Sequence, residues 1–219
     1  MDSSGQKHNA IAIDGPAASG KSTVARRLAG KLGYLYVNSG EIYRAVTWAL
    51  LQRGISLDEP ERVAEALGQI EIECGSEEGR SQVRVNGEDP TPFLSSEEVN
   101  RNVSVVSAIA EVRRVIVEKL VAYRELDHVV MEGRDIGSIV FPDSEFKFYI
   151  DASEEVRDAR RRLQGFEDAI SERDRRDQTR KVSPLVVSEN AHRIDSSEMT
   201  PDEVVDEIVG VLRKGGLTS

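Results

Sequence analysis

Short apolar runs alternate with longer stretches in which apolar residues return every three or four positions, and this alternation persists through most of the 219 residues. Runs at Ala10–Ile13, Tyr34–Val37, His128–Met131, Phe146–Ile150 and His192–Asp195 predict five strands. Helical spacing follows the first run, with Val24, Leu28 and Leu32 in phase. It returns from Asn38-Ser-Gly-Glu41 to about Arg53, where Ile42, Val46, Ala49 and Leu50 share a face. Ser95 to about Glu125 reads as one long helix with a stripe of Val99, Val103, Val106, Ile109 and Ala110, and residues 154–181 read as two helical pieces joined near Gly165. Thr200-Pro201-Asp-Glu203 opens the last helix: Thr200 caps, Pro201 suits the first turn, and Glu203 completes a capping box. Strand alternating with helix is the pattern of a parallel sheet covered by helices, so the expected class is α/β with a five-stranded parallel sheet.

Residues 70–94 break the rhythm. Ile70, Ile72 and Cys74 alternate with glutamates, Val83 and Val85 alternate with polar residues, and Asn86-Gly87 is a hairpin turn signal. The segment predicts a small antiparallel β insertion, a separate module facing a substrate. Pro90 and Pro92 confine its last strand to an edge.

Hydrophobic residues at 39% and charged residues at 31% describe an ordinary globular chain long enough for a full core. No apolar run reaches the roughly 18 residues of a membrane span, and the first nine residues lack a signal peptide's apolar stretch, so no membrane contact and a cytoplasmic location are expected. Cys74 is the only cysteine, which excludes an internal disulfide and a Cys-type zinc site, and its strand-like setting makes it a small apolar residue. His8, His128 and His192 have no metal-ligand spacing. The net charge of −10 argues against nucleic acid as a partner. Its distribution matters more: only 7 of 29 basic residues are lysine, and Arg157 to Lys181 holds nine basic residues against six acidic ones. Arginine's planar fork grips phosphate bidentately, so this bias suits repeated phosphate contacts; an ion-paired solvated helix face is the plainer alternative for any one of them.

The most specific chemistry lies at Gly15-Pro16-Ala17-Ala18-Ser19-Gly20-Lys21-Ser22, which fits G-x-x-x-x-G-K-[ST] at every fixed position. Backbone amides of such a loop cradle nucleotide phosphates, Lys21 supplies charge to the β- and γ-oxygens, and the Ser22 hydroxyl, followed by Thr23, is offered to Mg²⁺. A strand before it and a helix after it put the phosphates at a helix N-terminus, where the macrodipole favours anions. The loop alone does not separate kinases from GTPases, ATPases or nucleotide sensors. No Asn-Lys-x-Asp stretch specifies guanine. Arginines do stand in several distant segments, at Arg44, Arg113, Arg134 beside Asp135, and Arg173 with Arg180 around Asp177. In a doubly wound sheet, loops at the strand carboxyl ends converge, so Arg134 is expected opposite the phosphate loop in a basic cleft between two anionic ligands.

Asn38-Ser-Gly-Glu-Ile-Tyr-Arg44, Glu132-Gly-Arg-Asp-Ile-Gly-Ser-Ile-Val-Phe-Pro142 and Glu172-Arg-Asp-Arg-Arg-Asp-Gln-Thr-Arg180 follow Ile13-Asp-Gly-Pro-Ala-Ala-Ser-Gly-Lys-Ser22 in order. Together, from about Ile11 to Leu212, they resemble bacterial cytidylate kinases. The resemblance implies a P-loop kinase core, ATP with Mg²⁺, CMP or dCMP as acceptor, and the 70–94 hairpin as the insertion that marks the family. It implies that Ser39, Tyr43 and Arg44 line the acceptor site with Arg44 on the α-phosphate, that Ser104 and Arg113 read the cytosine, and that Asp135 holds the sugar while Arg134 approaches phosphate. Arg173, Asp177 and Arg180 match a closing lid, with Lys21, Arg134, Arg173 and Arg180 as the catalytic cations. The metal would be held through Ser22, with Asp14, Glu132 or Asp135 reaching it through water. Two segments depart from the family pattern: Leu94-Ser-Ser96 replaces Ile-Arg-Thr, and the stretch between Arg162 and Glu172 is short, leaving a stubby lid around Gly165-Phe-Glu-Asp168.

The implied layout is one domain over 10–219, its core formed by 10–69, 95–155 and 183–219. The insertion is 70–94, the lid about 156–182, the flexible tail 1–9, and the molecule a monomer. The residues by themselves leave open a kinase for UMP, AMP or shikimate and a nucleotide sensor without turnover.

Overall fold

The computed structural model describes residues 8–163 and 185–217. Seven strands form one sheet: β1 Ala10–Asp14, β2 Leu35–Asn38, β3 Ile72–Glu77, β4 Arg80–Val85, β5 Val129–Gly133, β6 Phe146–Asp151 and β7 His192–Asp195. Their spatial order is β3-β4-β2-β5-β1-β6-β7. The five expected strands are all present and pair in parallel, with β1 between β5 and β6. The helices are α1 Lys21–Leu32, α2 Ser39–Gln52, α3 Pro60–Leu67, α4 Glu97–Val106, α5 Ala110–Leu126, α6 Glu154–Leu163 and α7 Pro201–Lys214. The second helical piece expected beyond Gly165, with the lid, lies outside the described residues.

Three local expectations need correction. The β3–β4 pair is not a separate sheet: β4 pairs with β2 through Tyr36 and Arg80, so the insertion extends the main sheet at its edge. Its turn is Glu78-Gly79, both at positive φ (49° and 74°), whereas Asn86-Gly87 (52° and 78°) makes a second, smaller reversal that brings Val85 against Glu88. Both dipeptides satisfy the turn's demand for left-handed backbone, and the longer antiparallel register forms around the first. The expected helix over 95–125 is two helices, because α4 ends at its C-cap Ser107 and Ile109, the N-cap of α5, is extended (φ −76°, ψ 123°). Ser96, within the atypical Leu94-Ser-Ser96 stretch, caps α4 by accepting from the Val99 amide at 3.4 Å.

Apolar clusters lie on both faces of the sheet. β1 shows why: Ala10 and Ala12 face the cluster built by α2 to α5, whereas Ile11 and Ile13 face α1 and α7. All four are at most 2% exposed, as expected for a strand covered on both faces. At the amino terminus His8 and Asn9 are fastened to this body, the Asn9 amide donating to His128 Nδ1 at 2.8 Å and Arg124 Nε to the His8 carbonyl at 2.6 Å. The rest of the expected tail lies outside the described residues.

β1 and β5 end side by side, and Asp14, the last residue of β1, ties the two strand ends together. Its carboxylate accepts the Ile136 and Gly137 amides, both at 2.8 Å, at the start of a π-helical turn over Ile136–Val140. That bond pair fixes Arg134 and Asp135 above the phosphate loop. Burial outweighs the two amides and lifts the Asp14 carboxyl from 3.8 to about 7. The folded protein therefore holds a proton that the unfolded chain releases between about pH 4 and pH 7, and this group's contribution to stability falls as pH rises through that window. Urea unfolding across pH 4–8 tests it: the stability difference between wild type and Asp14→Asn should decline by up to about 4 kcal/mol over the window and level above it. A flat difference would contradict the buried, proton-holding state.

Candidate active site

The chain between β1 and α1 turns tightly because the positions that must be small are small. Gly15 has φ 157°, and a Cβ there would lie 2.1 Å from the Ile150 carbonyl oxygen. Gly20, at φ 88°, occupies the N-cap of α1 with no side chain to take up the first amides, leaving them for an anion. Lys21 is 8% exposed and folds back, Nζ donating to the Pro16 carbonyl at 2.9 Å. The loop is braced from outside: Ser196 Oγ donates to the Ser19 carbonyl at 2.9 Å, Arg160 donates to Ser196 O at 2.8 Å, and Arg157 reaches Ala17 O at 3.4 Å. Over the loop lies a cavity of about 190 Å³ formed by Ala17, Ala18, Gly20, Lys21, Ser22 and Thr23 with Arg44, Asn100, Arg134 and Arg161. Its described lining contains four cations and no carboxylate.

A second cavity of about 170 Å³ adjoins it and shares Lys21, Ser22, Arg44 and Arg134. Its remaining walls include Ser39, Tyr43, Ser104, Arg113, Glu132 and Asp135. α2 supplies the first of these as it leaves β2: Asn38 Oδ1 accepts the Gly40 amide at 3.0 Å as N-cap, and Ser39 Oγ donates to the Glu132 carbonyl at 2.8 Å. Gly133 lets the two segments approach closely: a Cβ there would sit 2.6 Å from Ser39 Oγ and force Ser39 or Ile136 to shift. Arg113 and Asp135 form a buried ion pair, and Arg113 also donates to the Ser107 carbonyl at 3.1 Å. Its guanidinium lies 5.6 Å from the Tyr43 ring centroid. Arg134 donates to the Gly15 carbonyl, which places it over the loop. Burial pulls the Arg44 guanidinium below its ordinary range; Glu132 opposes that pull and Arg134 reinforces it. Glu41 is pushed upward, first by burial and then by Glu132.

The expected residues Lys21, Ser22, Ser39, Tyr43, Arg44, Ser104, Arg113, Arg134 and Asp135 are thus brought to one cavity. Arg173, Asp177 and Arg180 lie outside the described residues. Of the three carboxylates considered for a metal, Glu132 and Asp135 line the cavity, whereas both oxygens of Asp14 are taken by backbone amides. Serine hydroxyl and carboxylate oxygens suit a hard cation such as Mg²⁺. No three His, Cys, Asp or Glu side chains gather around a metal-sized point among the described residues, so phosphate and water would supply most of its ligands. Sequence reasoning missed Arg161, Asn100, Asn38 and Ser107. Arg161 had a signal in the Arg157, Arg160, Arg161 spacing, which puts three guanidinium groups on one helix face; Asn100 had none.

The family model described as cytidylate kinase matches residues 11–214. A cytidylate kinase of Ligilactobacillus salivarius (strain UCC118) is 41% identical over 215 residues, 93% of this chain and 96% of that protein. One from Caldanaerobacter subterraneus subsp. tengcongensis is 41% identical, covering 93% of this chain and 94% of its own. Among solved structures, TT1252 from Thermus thermophilus superposes with a TM-score of 0.51 at 18% identity, covering 98% of this chain and 100% of its own, a likeness of fold. With that model spanning nearly its whole length and such relatives at both ends of the alignment, the chain belongs to the cytidylate kinase family.

Proposed function

We propose that the protein transfers the γ-phosphoryl group of ATP to an α-phosphate oxygen of CMP or dCMP, giving CDP or dCDP and ADP. The observation that carries this reading is the sharing of Lys21, Ser22, Arg44 and Arg134 between the phosphate-loop cavity and the adjoining one. Two polyanions seated there would meet phosphate to phosphate.

The acceptor needs no protein base. A phosphate monoester loses its second proton near pH 6, so the attacking oxygen is already anionic at neutral pH. The protein's work is alignment and charge stabilisation. Arg44 grips the acceptor phosphate, Lys21 serves the donor's terminal oxygens, and Arg134, held on Gly15, stands between them. Ser22 and, through water, Glu132 or Asp135 would hold Mg²⁺, which would supply positive charge against the transferring phosphates. Ser104 and Arg113 read the base and Asp135 the sugar, roles that rest on the family resemblance together with their place in the cavity. Arg173 and Arg180, with Asp177, reach across both nucleotides as that resemblance implies. The proposed state is a monomer in the cytoplasm; among the described residues no helix is long and apolar enough to cross a membrane.

Initial rates with CMP, dCMP, UMP and AMP at fixed Mg-ATP test the acceptor. The cytidine nucleotides should give the highest kcat/KM, and ATP hydrolysis without an acceptor should be slow. A preference for AMP, or nucleotide binding with no turnover of any monophosphate, would contradict the reading. Arg180→Ala should lower kcat by about 10³, the scale of an arginine that stabilises the transferred group. Near-normal turnover at saturating substrates would remove Arg180 from the catalytic set.

A further inference from the structure

Arg44 stands between two acids yet pairs with neither. Glu132, 3% exposed, and Glu41 each favour the charged form of the Arg44 guanidinium, against the larger opposing pull of burial. Among the described residues, however, no ion pair joins Arg44 to either carboxylate; its guanidinium donates to the carbonyl of Gly40, one turn back on its own helix, at 3.1 Å. Each acid is occupied by a neutral donor instead. The Tyr36 hydroxyl donates to Glu132 Oε1 at 3.2 Å, and Asn38 Nδ2 donates to Glu41 Oε1 at 3.2 Å.

Tyr36 is well built for such a task. Its ring is 4% exposed, packed in the core cluster between the sheet and α1, with the Arg26 guanidinium 5.5 Å from its centroid. Its amide donates to the Gly79 carbonyl at 3.0 Å, which fixes the tyrosine against the turn of the β3–β4 hairpin. Burial and the neighbouring Glu132 keep the phenol protonated and able to donate. Asn38 is equally fixed, because the same side chain caps α2.

We propose that Tyr36 and Asn38 are positioning residues: each anchors one carboxylate, Glu132 and Glu41 respectively, so that neither closes on Arg44 and the guanidinium stays open to the phosphate of the acceptor. A carboxylate paired with Arg44 competes directly with that phosphate, because both use the same donor fork. The positioning role rests on the proposed acceptor chemistry, in which a phosphomonoester engages Arg44. It adds two residues that act through the acids they hold. It also gives the hairpin a route to the cavity, through the Gly79–Tyr36–Glu132 chain.

Calorimetric titration of CMP into protein without ATP or Mg²⁺ tests it, since only the acceptor contacts are then read. Tyr36→Phe keeps the ring and removes the hydroxyl; CMP should bind roughly five- to twenty-fold more weakly, the range of one contested charged hydrogen bond. Glu132→Gln should bind CMP at least as well as wild type, and the Tyr36→Phe/Glu132→Gln double variant should match Glu132→Gln within about two-fold, the non-additivity of two residues acting through one contact. Asn38→Ala should weaken CMP in the same direction through Glu41. Wild-type binding with an unchanged affinity in Tyr36→Phe, or additive losses in the double variant, would overturn the positioning role alone. Failure of wild type to bind CMP would instead overturn the acceptor reading and this role with it.

Discussion

Like charges crowded into a small volume are the constraint around which this molecule is arranged. Lys21, Arg44, Arg134 and Arg161 come from four separate parts of the chain and line one cavity of about 190 Å³ whose described walls carry no carboxylate. Such a gathering is unfavourable unless rigid structure imposes it and a polyanion relieves it. Three of the four cations are accordingly held by backbone oxygens: Lys21 on Pro16 O, Arg134 on Gly15 O, Arg44 on Gly40 O. A carbonyl oxygen accepts a hydrogen bond from a cation without cancelling its charge.

The fold supplies the rigidity. β1, β2 and β5 are central or near-central strands whose carboxyl ends, Asp14, Asn38 and Gly133, open directly into the site. Small residues let the pieces approach. Gly15 passes against the Ile150 carbonyl, where no side chain fits, and Gly133 against Ser39 Oγ, which a Cβ would force to move. Asp14 then uses a buried carboxyl to pin the segment carrying Arg134 and Asp135, an arrangement in which burial and hydrogen bonding pull the proton affinity in opposite directions and burial prevails. On the other side Arg157, Arg160 and Ser196 brace the phosphate loop through its carbonyls. The acids are managed separately: Asp135 is paired with Arg113, and Glu132 and Glu41 rest on Tyr36 and Asn38.

Much of this is legible in the chain because local chemistry dictates it. The phosphate loop, the five parallel strands and the Thr200 capping box depend on residues a few positions apart, and the structure bears out each, the Thr200 hydroxyl and Glu203 carboxylate capping one another's amides as expected. Convergence of Ser39, Arg44, Arg113 and Arg134 follows from the doubly wound topology rather than from spacing. The features that escape are set by competition or by distance. Two dipeptides in the 70–94 segment could each make the hairpin turn, and only the strand register around Glu78-Gly79 decides between them. The helical stripe across 95–125 hides a break at Ser107–Ile109, since apolar residues continue in phase on both sides of it. Asp14 is one of three carboxylates considered for the metal; the amides that take both its oxygens lie 122 and 123 residues away and leave no local trace. Arg161 belongs by sequence to a basic island, although its helical phase with Arg157 already aims it at the loop.

The central claim, that two nucleotides meet tail to tail across Arg44 and Arg134, is tested most directly with adenosine and cytidine joined 5′ to 5′ through five phosphates. Calorimetric titration should show this tethered ligand binding at least about 10²-fold tighter than ATP or CMP alone, because each half raises the other's effective concentration. Arg134→Ala should erase most of that advantage. A tethered ligand no tighter than the better of its two halves would mean that the cavities do not hold their phosphates within reach of each other.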